Sequence, residues 1–212
     1  IGQIPVGEYW ETSLRSLAAR AMMAALKDAG SLKPQAVYIG NFLGSMVSHQ
    51  SNLGALLPDN LGMRGIEGYT VEAAGASGAG AFRMGYLAVA SGFIDVALVV
   101  GVEKYTDMVG PDLESVIIQA ADYDFEAVNG LTAAGQAGLL AQRYFYEYNV
   151  PRESLASFPL LAHANAVHNP NAMFRKALRP ESYNRAAMVS SPLNLMDVAP
   201  YADGAAAVVL TR

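Results

Sequence analysis

The chain has 212 residues, a net charge of −5 and 52% hydrophobic side chains, enough for a substantial core in one or two domains and too apolar for a disordered segment. The acidic balance excludes nucleic acid or an anionic membrane as the main partner. With no cysteine, a disulfide framework and a thiolate zinc site are both excluded.

No signal peptide is visible, and the abrupt start at Ile1, without methionine, points to a chain that begins inside a longer protein. After a short lead, Thr12 or Ser13 caps a helix on which Leu14, Leu17, Ala18, Ala21 and Ala25 share one face. Arg15, Arg20 and Lys27 turn outward, and Gly30 is the stop. Residues 36–41 read as a short buried strand and 52–57 as a small helix closed by Pro58. A β-branched and aromatic run at 69–73 then enters a glycine-rich turn. The turn opens a helix over 77–91, Gly92 ends it, and the apolar run 93–103 returns, which makes a βαβ unit.

That turn puts Gly75 at a helix N-terminus, where unpaired N–H groups and the positive dipole end favour developing negative charge. The helix carries one charge, Arg83, and is small or apolar on nearly every side, so it is expected to be buried between layers. It falls short of the roughly 20 apolar residues that a bilayer span needs. Residues 104–129 loosen into a loop region, 131–148 are again helical, and Pro151 opens a helix that runs to His168 before Asn169-Pro170. These helices form a second, inserted layer. A basic, irregular stretch reaches Met188, and sheet-like sequence resumes at 203–211, as a core-type strand that needs neighbours on both sides. The domain plan is therefore a core over 1–103, an inserted loop domain over 104–190, and a return to the core over 191–212.

Gly75, Gly78 and Gly80 form a G-x-x-G-x-G that could cradle a dinucleotide, but Asp95 stands at the start of the following strand, at the wrong edge of the sheet for a ribose. Ser77 misses the G-x-S-x-G nucleophile elbow because residue 79 is alanine, and its role is to cap the helix. His49, His163 and His168 make no metal site: the last two are five apart, with no carboxylate between them at ligand spacing. Arg175, Lys176, Arg179 and Arg185 form either a solvated basic face or a contact for a phosphate-bearing ligand.

Val71-Glu72-Ala73-Ala74-Gly75-Ala76-Ser77-Gly78 and Val100-Gly101-Val102-Glu103-Lys104 resemble the N-terminal half of the thiolase superfamily, closest to its sterol-carrier-protein-linked and archaeal-type members. Gly130-Leu131-Thr132, the block 163–170, Pro192-Leu193-Asn194-Leu195-Met196-Asp197 and Asp203-Gly204-Ala205-Ala206-Ala207 follow in the family's order. The resemblance implies an α/β fold: a mixed, mostly parallel five-stranded sheet covered by helices, with an inserted helical loop domain. It also implies a CoA thioester as substrate rather than a covalently bound cofactor, and a cytoplasmic place in lipid metabolism. CoA would be held by the loop domain, including Leu131, Thr132, Arg175 and Lys176. Homodimer pairing would run through the 69–73 strand.

Two departures limit what the resemblance carries. Where the family has a nucleophilic cysteine this chain has Gly75, so no acyl-enzyme forms there and thiolysis by that route is excluded. The acid and base groups of the family belong to a second half absent from this sequence. The Gly75 N–H would still serve as an oxyanion donor, and loss of the thiol suits a bulky acyl group. Members that cleave steroid-like acyl-CoA side chains by retro-aldol chemistry work without the nucleophile, beside a zinc-ribbon and OB-fold partner. The expectation is an enzyme half of that kind, acting on a carbon–carbon bond beside the thioester. The alternatives are a non-catalytic scaffold subunit or an inactive, truncated acetyl-CoA acetyltransferase.

Overall fold

A computed structural model describes all 212 residues, which divide into two compact units, 1–109 with 202–212 and 110–201. The sequence placed the limits of the insertion at 104 and 190.

The first unit begins with β1 (Gly2–Gln3) and α1 (Leu14–Asp28), whose N-cap Ser13 accepts from the Ser16 N–H. β2 (Ala36–Gly40), α2 (Leu53–Asn60), β3 (Glu67–Val71), α3 (Ser77–Ala90) and β4 (Val96–Glu103) follow. The sheet order is β1-β7-β4-β2-β3, where β7 (Gly204–Thr211) closes the chain. β2 pairs in parallel with β3 and β4, whereas β7 pairs antiparallel with β4 and β1. Four of the five strands therefore run one way, and the mixed, mostly parallel sheet is the one expected. The short lead supplies β1, the second neighbour that β7 requires.

Alternation along the strands builds the layers. Val37 and Ile39 of β2 with Leu98, Val100 and Val102 of β4 pack on Leu17, Ala21 and Met22 of α1 and on Leu53 and Leu57 of α2. Ala36, Tyr38, Ala97 and Val99 face the other way, onto Ala81 and Val89 of α3. α3 lies very close to the sheet: a Cβ at Gly40 would come within 2.6 Å of the Gly78 backbone.

Three local expectations are corrected. Pro58 lies inside α2 rather than ending it, and the helix continues to Asn60 without the hydrogen bond that proline cannot donate. α3 buries only the stripe Ser77, Ala81, Gly85 and Val89, whereas Phe82, Tyr86 and Leu87 are exposed, so it covers one face of the sheet instead of lying between layers. Ser77 is the first residue of α3 and not its cap, since Ala76 holds that position without a side-chain bond.

The second unit contains α4 (Pro111–Ile117), α5 (Ala133–Tyr148), α6 (Ser157–Ala166), α7 (Pro180–Asn184) and a two-stranded ribbon of β5 (Met188–Ser190) and β6 (Leu193–Asn194). α4 falls where a loop was expected: Pro111 at its start, acidic Asp112 and Glu114 in its first turn, and buried Leu113 and Val116 make a helix too short for periodicity to reveal. The helix expected from Pro151 to His168 is a 3₁₀ segment (Arg152–Ala156) followed by α6. A buried polar knot ties the ribbon down, with the Tyr183 hydroxyl donating to Asp197 and Asn194 donating to the Tyr183 carbonyl. No helix in either unit is long and apolar enough to cross a membrane.

Candidate functional site

The parallel strands β2, β3 and β4 end together at Gly40, Val71 and Glu103, the edge at which α/β sheets place their ligands. There a cavity of about 360 Å³ opens, lined by Gly75, Gly78, Gly101, Glu103, Phe42 and Ala205 among others. Gly75 occupies the middle of a 3₁₀ turn, Ala74–Ala76, that runs directly into α3.

This turn commits nearly all its amides. Ala73 N–H donates to the Ser77 hydroxyl at 2.9 Å, Ala74 N–H to the Glu72 carboxylate at 2.5 Å, Ala76 N–H to the Ala73 carbonyl at 2.8 Å, and Ser77 N–H to the Ala74 carbonyl. The Ser77 hydroxyl in turn donates to the Ala74 carbonyl at 2.7 Å, so this buried serine braces the turn from inside. Only the Gly75 N–H donates to no protein acceptor. Ala74 sits at φ +45°, a left-handed conformation costly for an L-residue and held here by bonds at both its N–H and its carbonyl. A Cβ at Gly75 would meet nothing within 4 Å, so packing does not require glycine at this position.

The opposite wall is held by Glu103. One carboxylate oxygen accepts from Asn41 Nδ2 at 2.8 Å and from Leu43 N–H at 3.2 Å, and the other accepts from Phe42 N–H at 2.9 Å. Burial pushes this carboxyl above its ordinary value, while those bonds and the Lys104 N–H pull it down. Its engaged oxygens mark it as the brace of the loop that carries Phe42 into the cavity. Behind it, Asp203 is fully buried and accepts from the N–H groups of Tyr9, Tyr105 and Thr106 and from the Thr106 hydroxyl. Lys104, also buried, binds Asp107 at 2.9 Å and lies 3.7 Å from Asp203. Sequence reasoning missed both carboxylates; a charged residue closing an apolar strand, as Glu103 does, and the Asp-Gly before β7 were the available signals.

The four residues expected to hold CoA do not share a cavity. Leu131 and Thr132 line one of about 480 Å³ beside α4, and Thr132 is also the cap of α5, accepting from Gly135 N–H. Arg175 and Lys176 line another of about 370 Å³ with His163 and Phe174. In the second, the His163 ring stacks on Phe174 and its Nδ1 lies 3.1 Å from the Lys176 carbonyl. That wall offers positive charge and an aromatic face. Gly75 belongs to the first unit and both cavities to the second.

The family model for the N-terminal domain of thiolases matches residues 1–190, and the chain belongs to the thiolase family. It is 39% identical to an acetyl-CoA acetyltransferase of Methanothermobacter thermautotrophicus, over 99% of this chain and 55% of that protein. It is 32% identical to the benzoylsuccinyl-CoA thiolase subunit BbsB of Thauera aromatica, over 99% of this chain and 53% of that one. Among solved structures, the Ltp2-ChsH2(DUF35) aldolase shares the fold with a TM-score of 0.79 at 23% identity, covering 99% of this chain and 53% of that chain. The chain spans about half the length of the curated relatives it matches.

Proposed function

We propose that the chain is the N-terminal half of a thiolase-fold acyl-CoA enzyme that makes or breaks a carbon–carbon bond beside the thioester without a cysteine acyl-enzyme. The observation that carries this reading is the Gly75 N–H, the one uncommitted amide of a strained, braced turn at the head of α3, in a residue that lines the cavity. A donor fixed in place and aimed where charge develops stabilises an enolate oxygen without reorganising during the reaction. In a retro-aldol step, a base takes the proton of a β-hydroxyl, the Cα–Cβ bond breaks to leave a ketone or aldehyde, and its electron pair forms the thioester enolate. Protonation of that enolate at Cα gives the shortened acyl-CoA. Glu103, bound by four donors, serves as scaffold, and the base comes from elsewhere.

The basic, aromatic cavity of Arg175, Lys176 and Phe174 suits the anionic nucleotide end of CoA, and Leu131 and Thr132 the uncharged remainder. β3 is an outer strand of the sheet, and pairing through it supplies a homodimer. A zinc-ribbon and OB-fold protein is the proposed partner. The direct test is hydrogen exchange at Cα of propionyl-CoA in D₂O, followed by proton NMR, together with chromatographic analysis of 3-hydroxyacyl-CoA incubations. Exchange or cleavage by the protein, alone or with its partner, is expected. CoA binding without either reaction would instead favour a scaffold subunit.

A further inference from the structure

The cavity beside α4 differs from the basic one in its only charged wall group, Glu114. Pro111, Ile118, Ala127 and Leu131 make most of the remaining surface apolar. Two of the polar side chains that line it are occupied: the Ser115 hydroxyl donates to the Asp112 carbonyl, and Thr132 Oγ accepts from Gly135 N–H, while Tyr123 adds an exposed phenol. Glu114 is only half satisfied. Its Oε1 accepts from the Tyr201 hydroxyl at 2.5 Å, whereas Oε2 is shut off from solvent and accepts nothing. A buried carboxylate oxygen without a donor is unfavourable until one reaches it. The terminal torsion of glutamate is soft, so a small rotation presents that oxygen to the cavity.

We propose that this cavity binds a neutral, largely apolar group bearing a hydroxyl, which donates to Glu114 Oε2, and that Glu114 rejects groups bearing a carboxylate. A hydroxyl matches the missing half of the site: it brings a donor without a charge, whereas an ammonium group would have to be stripped of water as a second ion. A carboxylate would add like charge beside Glu114. The volume of about 480 Å³ admits a ring or a medium-length chain. The inference rests on the acyl-CoA reading only in taking this group to belong to the uncharged part of the acyl-CoA substrate.

The test uses the full chain and the methyl resonances of Ile118 and Leu131, titrated with cyclohexanol, methylcyclohexane and cyclohexanecarboxylate. Cyclohexanol should bind roughly tenfold or more tightly than methylcyclohexane, as expected for a hydrogen bond to a charged acceptor, and the carboxylate should not bind. Glu114→Gln should abolish the preference for the alcohol and admit the carboxylate, because the Tyr201 hydroxyl holds the amide oxygen and leaves the NH₂ facing the cavity. Equal binding of cyclohexanol and methylcyclohexane by the unaltered protein overturns the proposal without any variant, as does an alcohol preference that survives Glu114→Gln. CoA is titrated in parallel: a failure to bind it counts against the acyl-CoA reading alone.

Discussion

Carboxylates in the two units are satisfied to different degrees. In the sheet unit, Asp203 and Glu103 are surrounded by backbone donors from segments far apart in sequence, so each carboxylate fixes the geometry around it. In the second unit, Glu114 keeps an oxygen without a donor, and α5 exposes Leu140, Tyr144 and Tyr148 along one stripe. A saturated polar network has one arrangement, whereas an unsaturated one has a vacancy in its bonding that a ligand completes. On the proposed function, the saturated groups hold the Gly75 turn in place and Glu114 selects what enters its cavity.

The largest effect that tests this contrast is expected at Asp203. Asp203→Ala leaves three buried backbone amides and the Thr106 hydroxyl without their acceptor and Lys104 with Asp107 as its one carboxylate, and should cost about 3–5 kcal/mol in chemical denaturation. Arg143→Ala, which breaks the exposed pair with Glu147 on α5, should stay below about 1 kcal/mol. Similar losses in the two variants would mean that a saturated buried carboxylate contributes no more than an exposed pair. The loss also has a pH signature. Burial works to raise the Asp203 carboxyl, but the Thr106 hydroxyl and the amides of Tyr9, Thr106 and Tyr105 outweigh it and hold the group below its ordinary value. Its stabilisation is therefore full above the unfolded value of about 4 and is lost as pH falls through the lower folded one. The gap between the unaltered protein and Asp203→Ala should narrow only below that point.

A smaller effect is expected at Gly40, where the sheet touches α3. Gly40→Ala would place a methyl 2.6 Å from Gly78 Cα, Gly78 N and the Ser77 carbonyl, none of which is a flexible side chain. The head of α3 must move, at about 1–3 kcal/mol, and the turn bearing Gly75 moves with it. Acyl-CoA affinity or Cα exchange should fall more than stability alone explains. A variant that melts lower yet keeps both intact would show that the position of the turn does not matter.

How much of this was legible in the sequence follows the range of each interaction. α1, β2 and β4 declare themselves through local periodicity and stop signals, and the G-rich turn before α3 gives the place of Gly75 to within a residue. The exposed face of α3 was not legible, because an all-apolar helix reports that it needs covering and not what covers it. Ser77 was recognisable as a local hydrogen-bonding residue, but which amides it serves depends on the left-handed Ala74, which no propensity predicts. The Asp203 network joins residues 97 to 194 positions apart, beyond any local pattern. Leu131, Thr132, Arg175 and Lys176 were grouped by family likeness, and their division between an acidic and a basic cavity is a tertiary fact.

The smallest effect on stability, and the sharpest on chemistry, is expected at the turn itself. A Cβ at Gly75 has no neighbour within 4 Å and its φ is not in the left-handed region, so Gly75→Cys should change stability by no more than about 0.5 kcal/mol. The introduced sulfur stands at the head of α3, where the uncommitted N–H of residue 75 and the helix dipole favour the thiolate over the thiol. Alkylation by iodoacetamide should therefore proceed at pH 6 to 7 well ahead of a free cysteine, whose thiolate forms only near pH 8.5, roughly. Because the chain has no native cysteine, the reaction reads this position alone. An ordinary pH midpoint would mean that the turn does not stabilise negative charge at residue 75, and an enolate oxygen would gain nothing from the same amide.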